Sequence, residues 1–96
     1  MSQATFEFIA SLLKGGASCW NEWRQQNLFT PIELSQIDVT GMDLSGIDFG
    51  QTRAKNVIFK RVLFTRAHLL FSHFEQCDFS EADLTESLLD NTRLSV

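Results

Sequence analysis

Apolar residues recur at every fifth position along the last two-thirds of the chain. We call these positions the centres; stepping by five from Leu34 to Leu94, every one is apolar. An α-helix repeats its apolar face every 3.6 residues and a strand every two residues, so neither keeps this spacing on one side. The pattern therefore predicts a coil that turns a corner after each five residues. The centres are Leu34, Val39, Leu44, Phe49, Ala54, Phe59, Phe64, Leu69, Phe74, Phe79, Leu84, Leu89 and Leu94.

A second register lies two positions before each centre, and we call it the inner register. It runs from Ile32 to Thr92 without a charged residue, and from Ala67 onward every member is small. Because charged side chains are almost never buried alone, two charge-free registers indicate the two inward positions of the coil. The other three residues of each pentad are expected on the outer surface.

Four pentads show the repeat most clearly: Met-Asp-Leu-Ser-Gly at 42–46, Ile-Asp-Phe-Gly-Gln at 47–51, Cys-Asp-Phe-Ser-Glu at 77–81 and Ala-Asp-Leu-Thr-Glu at 82–86. They resemble the pentapeptide-repeat family, whose consensus is roughly Ala, Asp or Asn, Leu and two variable residues. The resemblance implies an all-β solenoid over residues 32–96, a right-handed quadrilateral β-helix of about three coils with four pentads in each. Ile and Met replace Ala in the first coil, which should therefore be wider or pack differently against the preceding segment.

Residues 1–31 are predicted to form a helical capping segment. Helices are expected over 5–14 and 17–26, separated by the Gly15-Gly16 pair. Trp20 and Trp23 lie three residues apart and should face the same way. Because the end of a repeat stack exposes its core and backbone edge, we expect both Trp side chains to cover the first coil rather than to bind a ligand.

The opposite end of the repeat shows no comparable cap. An uncovered core is expected around Leu84, Leu89 and Leu94. A second copy docked end to end, a different protein, or further coils of a longer solenoid would each cover it. Among these arrangements we favour self-association.

Charge is banded along the repeat. The net charge is −4 over residues 32–50, +5 over 51–74 and −5 over 75–96. Opposite charges on adjacent coils stabilise the stack slightly, by about a few tenths of a kcal/mol per pair. A charged recognition belt is the functional alternative.

Some outward positions carry large apolar side chains. With four pentads per coil, Leu70, Phe71 and Leu88 fall on one face, which His68 shares. Clustered apolar residues on a surface are typical of a contact site. We therefore expect this patch to contact another protein or another copy of the chain. The complete set of candidate contact residues is Ile58, Leu63, His68, Leu70, Phe71 and Leu88.

The chemistry of an enzyme is not indicated. His68 and His73 have no recognisable nucleophile or carboxylate partner, and no Gly-rich phosphate loop occurs. Cys19 and Cys77 lack the spacing of a metal site. We predict a protein that is not an enzyme and has no metal or cofactor. Nucleic-acid binding is not expected, because the acidic bands repel phosphates, and no apolar run is long enough for a membrane helix.

The predicted function is a rigid scaffold for protein–protein interaction. The resemblance adds one alternative, because the quinolone-resistance and related gyrase-interacting relatives are similar to duplex DNA in size and negative charge. Here the basic band interrupts the acidity, and the repeat is much shorter than in those relatives. The lack of a signal-peptide pattern favours the bacterial cytoplasm, and export as an effector stays open.

Overall fold

The chain forms two short helices followed by a β-helix-type fold. The computed structural model describes residues 6–95, with side chains from Ile9 to Leu94. Thr5 of the predicted first helix lies outside the described residues. The elements are α1 (Phe6–Lys14), α2 (Ala17–Gln25), β1 (Ile32–Ser35), β2 (Thr52–Lys55), β3 (His73–Glu75) and β4 (Arg93–Ser95).

Backbone pairing repeats every twenty residues. The strands form one parallel sheet in the order β1-β2-β3-β4, with Ile32 opposite Thr52. Three further rows of parallel bridges join single residues twenty positions apart. One coil therefore takes four pentads. We call the strand row side one, and the bridge rows Asp38–Ile58–Asp78, Asp43–Leu63–Asp83 and Asp48–His68–Leu88 sides two, three and four.

Each corner of the coil is a tight turn. At seven of the corners the carbonyl of the centre accepts a hydrogen bond from the amide three residues later, as between Val39 O and Met42 N at 3.1 Å. Two residues after each centre from Leu34 to Leu89 the backbone has a positive φ, between 54° and 78°. This combination is typical of a type II turn. An extended stretch plus one such turn takes five residues, which explains the period of the sequence.

Phenylalanine side chains fill the axis of the coil. All centres from Leu34 to Phe74 are buried. Phe59 packs edge-on against Phe64 with ring centroids 5.3 Å apart, and stacks on Phe79 at 5.0 Å. The small centre Ala54 lies in register with the large Phe74 of the next coil.

The two helices cover the start of the coil. Ile9 and Leu13 of α1 and Trp20 of α2 are buried in one cluster with Ile32 and Ile47. The core of the first coil is thus continuous with that of the helices. Both helices have nine residues, and no helix among the described residues is long and apolar enough to cross a membrane.

Candidate interaction surface

Four of the six candidate contact residues lie together on side four. His68 and Leu88 are bridge partners on this side, and Leu70 and Phe71 follow His68 toward the corner. Phe71 is 61% exposed and Leu88 is 46% exposed, whereas Leu70 is half-buried. The structure therefore places the predicted patch on one side of the coil.

Ile58 and Leu63 lie elsewhere. Ile58 is on side two and Leu63 on side three, where each lies between two aspartates of the adjacent coils. They are exposed by 37% and 40%. Because each is isolated from the other apolar residues, neither extends the side-four patch.

Two exposed residues of the loop between α2 and β1 were missed by the sequence reasoning. Leu28 is 57% exposed and Phe29 is almost fully exposed. Leu28 lines a groove of about 300 Å³ together with Arg24, Leu70 and Phe71. The cap and the coil thus contribute to one surface, the Phe71 face, which comprises Leu28, His68, Leu70, Phe71 and Leu88. The polar residues Arg24, Asp48 and Gln51 also line the groove.

Phe71 occupies a backbone conformation that is unfavourable for a bulky side chain. Its φ is 56°, in the left-handed region that glycine and asparagine adopt most readily. Every corner from Gln36 to Asn91 has this conformation, and glycine or asparagine occupies it only at Gly41, Gly46, Asn56 and Asn91. The positive φ therefore belongs to the turn and does not by itself mark Phe71.

Helix α2 replaces a missing preceding coil on side four. Between the first and second coils, the His68 amide donates to Ile47 O. The His68 and Leu70 carbonyls accept from Phe49 N and Gln51 N. The corresponding groups of the first coil belong to Asp48 and Gly50. They are satisfied by three side chains of α2: Asn21 Oδ1 accepts from Asp48 N at 2.7 Å, Trp20 Nε1 donates to Asp48 O at 2.7 Å, and Arg24 Nη2 donates to Gly50 O at 3.5 Å.

Trp20 and Trp23 of the predicted cap have different environments. Trp20 is fully buried and meets Phe49 edge-on, with ring centroids 5.0 Å apart. Trp23 is half-buried and its ring lies 6.1 Å from that of Trp20. Both rings therefore lie on the side of α2 that faces the coil.

Arg24 is a buried cation whose hydrogen bonds shape the loop after α2. Its Nη1 donates to Asn27 O at 3.0 Å and Thr30 O at 2.8 Å. Burial lowers the pKa of the Arg24 guanidinium from its ordinary value, and the Asp48 carboxylate opposes part of that shift. The guanidinium thus ties the loop that presents Leu28 to the first coil.

The centres named for the far end become progressively more exposed. Phe79 and Leu84 are half-buried, and Leu89 and Leu94 are exposed. In the coil before them, Phe59 and Phe64 are completely buried. The described residues place no cap over this end.

Local hydrogen bonds hold the aspartate side chains on sides two and three. The Oδ1 atoms of Asp38, Asp43, Asp78 and Asp83 accept from the backbone amide two residues later. Hydrogen bonds from the neighbouring Ser or Thr, first from the side chain and then from the backbone, lower the pKa of each of these carboxyls. These carboxylates therefore stay charged in mild acid.

No group of three or more potential metal ligands occurs among residues 6–95. His68 is exposed and His73 half-buried, on sides four and one. Cys19 is exposed and Cys77 buried, and both are free thiols.

Comparison with known proteins identifies the repeat. Residues 58–95 match the family model described as pentapeptide repeats, in eight copies. The match begins within the second coil, after the segment in which Ile and Met take the usual place of Ala. The comparisons with curated proteins and with solved structures yielded no match.

Proposed function

Because residues 58–95 are pentapeptide repeats, we propose that the protein is a non-enzymatic scaffold that binds a protein partner through the Phe71 face. The proposal takes the β-helix as the right-handed quadrilateral solenoid of that family, in which coil-to-coil hydrogen bonds hold outward side chains in fixed rows. A rigid surface with few convergent catalytic groups suits recognition better than chemistry.

The observation that carries the proposal is the continuity of the apolar surface across the junction of cap and coil. Leu28 from the loop and Leu70 and Phe71 from side four line one groove, and Leu88 extends the same side by one coil. Exposed aromatic and aliphatic groups that surround a concave feature are typical of the anchor region of a protein interface.

The structure allows binding and folding to be separated in one variant. Phe71→Asn removes the aromatic anchor and places a residue at the corner that favours a positive φ. We expect it to raise the free energy of unfolding by about 0.5–1 kcal/mol while weakening partner binding. Combined with Leu88→Ser, it should remove the partner that co-purifies with the tagged wild-type protein from native lysate.

The matched control is Ile58→Ser combined with Leu63→Ser. These residues are exposed to a similar degree as Leu88 but lie on sides two and three, and the control should retain the partner. Retention by both variants, or loss from both, would contradict the assignment to the Phe71 face. Sedimentation of the same purified variants distinguishes a foreign partner from self-association, because only self-association changes the mass of the purified protein.

A further inference from the structure

A groove of about 300 Å³ crosses the strands on side one, and we call it the side-one groove. Successive residues of a strand point to opposite faces, so the residues before and after each centre stand outward on either side of its backbone. The backbone at Leu34 and Ala54, whose side chains are buried, therefore forms the floor. The walls are two rows of outward side chains, Glu33, Arg53 and His73 in one row and Ser35, Lys55 and Glu75 in the other.

Three side chains that carry nitrogen donors line the middle of the side-one groove. Arg53 and Lys55 flank Ala54 on β2, so their Cα atoms lie roughly 7 Å apart across the groove. His73 is paired with Arg53 on the adjacent strand, about 4.8 Å away along the same wall. Arg53 and Lys55 are exposed and His73 is half-buried. An anion held between these three residues would have donors on both walls.

The acidic residues of the walls leave these donors available. The register places Glu33 beside Arg53 and Glu75 beside Lys55. Within residues 6–95, however, neither the Arg53 nor the Lys55 side chain forms an ion pair or a hydrogen bond. Both cations can therefore turn toward a bound group without breaking an existing contact.

The sign of the charge on side one differs from that on the rest of the coil. Among the described side chains, sides two, three and four each carry more acidic than basic residues. Side one carries more basic residues, with Arg53, Lys55 and Arg93 against Glu33 and Glu75. In a chain of net charge −4, this side is the one toward which the field of the coil directs an anion.

We propose that the side-one groove binds a phosphate group. The planar fork of the Arg53 guanidinium suits two phosphate oxygens at once, and Lys55 and His73 would donate to the remaining oxygens. A carboxylate fits less well, because it has a single charge and only two oxygens for donors on both walls. The groove and the Phe71 face lie on different sides of the coil, so either proposal can fail without the other.

Titration of the full ¹⁵N-labelled chain with inorganic phosphate, followed by NMR at neutral pH, tests the proposal. At a constant ionic strength of about 0.15 M, we expect a saturable shift of the Ala54 amide. Arg53→Gln combined with Lys55→Gln should weaken binding by at least about tenfold, because two charge-assisted hydrogen-bond donors are lost. Acetate should bind at least about fivefold more weakly than phosphate.

The matched control is Lys60→Gln combined with Arg61→Gln. It removes two exposed cations from side two of the same coil and should change the affinity for phosphate by less than about twofold. The proposal would be overturned by the lack of a saturable shift at Ala54 in the wild type. Equal weakening by the two double variants, or equal binding of acetate and phosphate, would also overturn it, because attraction to net charge would then explain the result.

A phosphoserine peptide and its unphosphorylated form distinguish two sources of the phosphate group. Binding of the phosphopeptide at least about tenfold more tightly than inorganic phosphate would support a phosphorylated protein as the source, because contacts beside the phosphate then contribute. Equal affinities would support a small phosphate compound. If the unphosphorylated peptide binds the groove as tightly as the phosphopeptide, the assignment to phosphate is wrong.

Discussion

Three polar side chains of the inner register hydrogen-bond to an earlier coil. Ser72 Oγ donates to Phe49 O at 2.6 Å, Cys77 Sγ to Ala54 O at 3.6 Å, and Thr92 Oγ1 to Leu69 O. Ser87 Oγ donates to Leu84 O of its own coil, and the buried hydroxyl of Thr52 has no hydrogen-bond partner among the described residues. The acceptor that the pattern would give this hydroxyl falls in the loop after α2, which does not follow the regular coil.

Thr52→Val is expected to stabilise the protein. Removing a buried hydroxyl that has no partner, while keeping the side-chain shape, should raise the free energy of unfolding by about 1 kcal/mol. Ser72→Ala should lower it by about 1–2 kcal/mol, because Ser72 Oγ both donates to Phe49 O and accepts from Thr52 N. Urea unfolding followed by circular dichroism measures both values. A destabilised Thr52→Val variant would show that the hydroxyl has a partner in solution.

For single residues, the sequence predicted inward and outward positions but not the hydrogen bonds that the side chains make. Thr52 and Ser72 are equivalent in the five-residue pattern. They differ because the corner before Ser72 lies next to the first coil, whereas the corner before Thr52 lies next to the loop after α2. The path of that loop depends on the tertiary contacts of Arg24. Phe71 is similar: the pattern placed it outside, but its contact with the groove at Leu28 depends on the same loop.

The helix α2 acts as a short substitute for a strand. Trp20, Asn21 and Arg24 lie on one face of the helix and match the three polar backbone groups that the first coil exposes at Asp48 and Gly50. The two Trp residues indicated the covering face from sequence alone. Asn21 and Arg24 were not singled out, because an Asn or Arg on a short helix is usually solvated. Their position beside Trp20 was the available signal.

Removal of the Arg24 guanidinium should loosen the cap. Arg24→Ala leaves the carbonyls of Asn27, Thr30 and Gly50 without this donor, and we expect the free energy of unfolding to fall by about 2–3 kcal/mol. Fluorescence of Trp20 and Trp23, both on α2, reports on the cap, and circular dichroism reports on the coil. The control is Gln25→Ala, an exposed change on the same helix, which should be nearly neutral. Equal stability of the Arg24 and Gln25 variants would contradict this role.

Over the whole molecule, the carboxylates of sides two and three link stability to pH. The pKa values of Asp38, Asp43, Asp78 and Asp83 are lower than the ordinary 3.8. A group with a lowered pKa in the folded state binds protons more readily after unfolding, so acid favours unfolding. Its contribution is complete above pH 3.8 and is lost as the pH falls through the lowered folded value.

The free energy of unfolding should therefore decrease with acidification below about pH 4. Replacing Asp78 and Asp83 with Asn keeps an oxygen that can accept the same backbone bonds and removes the titration. Urea unfolding at a series of pH values should give a shallower decline for this double variant than for the wild type. Identical slopes would show that these two carboxyls do not contribute to the acid sensitivity.

The coil itself was the most predictable feature, because five-residue spacing and charge-free registers follow directly from one turn per side. Charge banding was also visible, and the register places Glu33 beside Arg53 and Lys55 beside Glu75. The progressive exposure from Phe79 to Leu94 was expected around Leu84, Leu89 and Leu94. The same four-pentad count separates Ile58 and Leu63 from Phe71 by side. What the pattern did not contain was the contribution of Leu28, since it depends on the path of the loop after α2.

The fastening of the first coil by α2 implies an order of local opening. Because side chains of α2 bond the Asp48 and Gly50 backbone groups, the helix must detach before solvent reaches them. The amide hydrogen of Asp48 should then exchange with solvent only as fast as the helix detaches, and Arg24→Ala should accelerate that exchange.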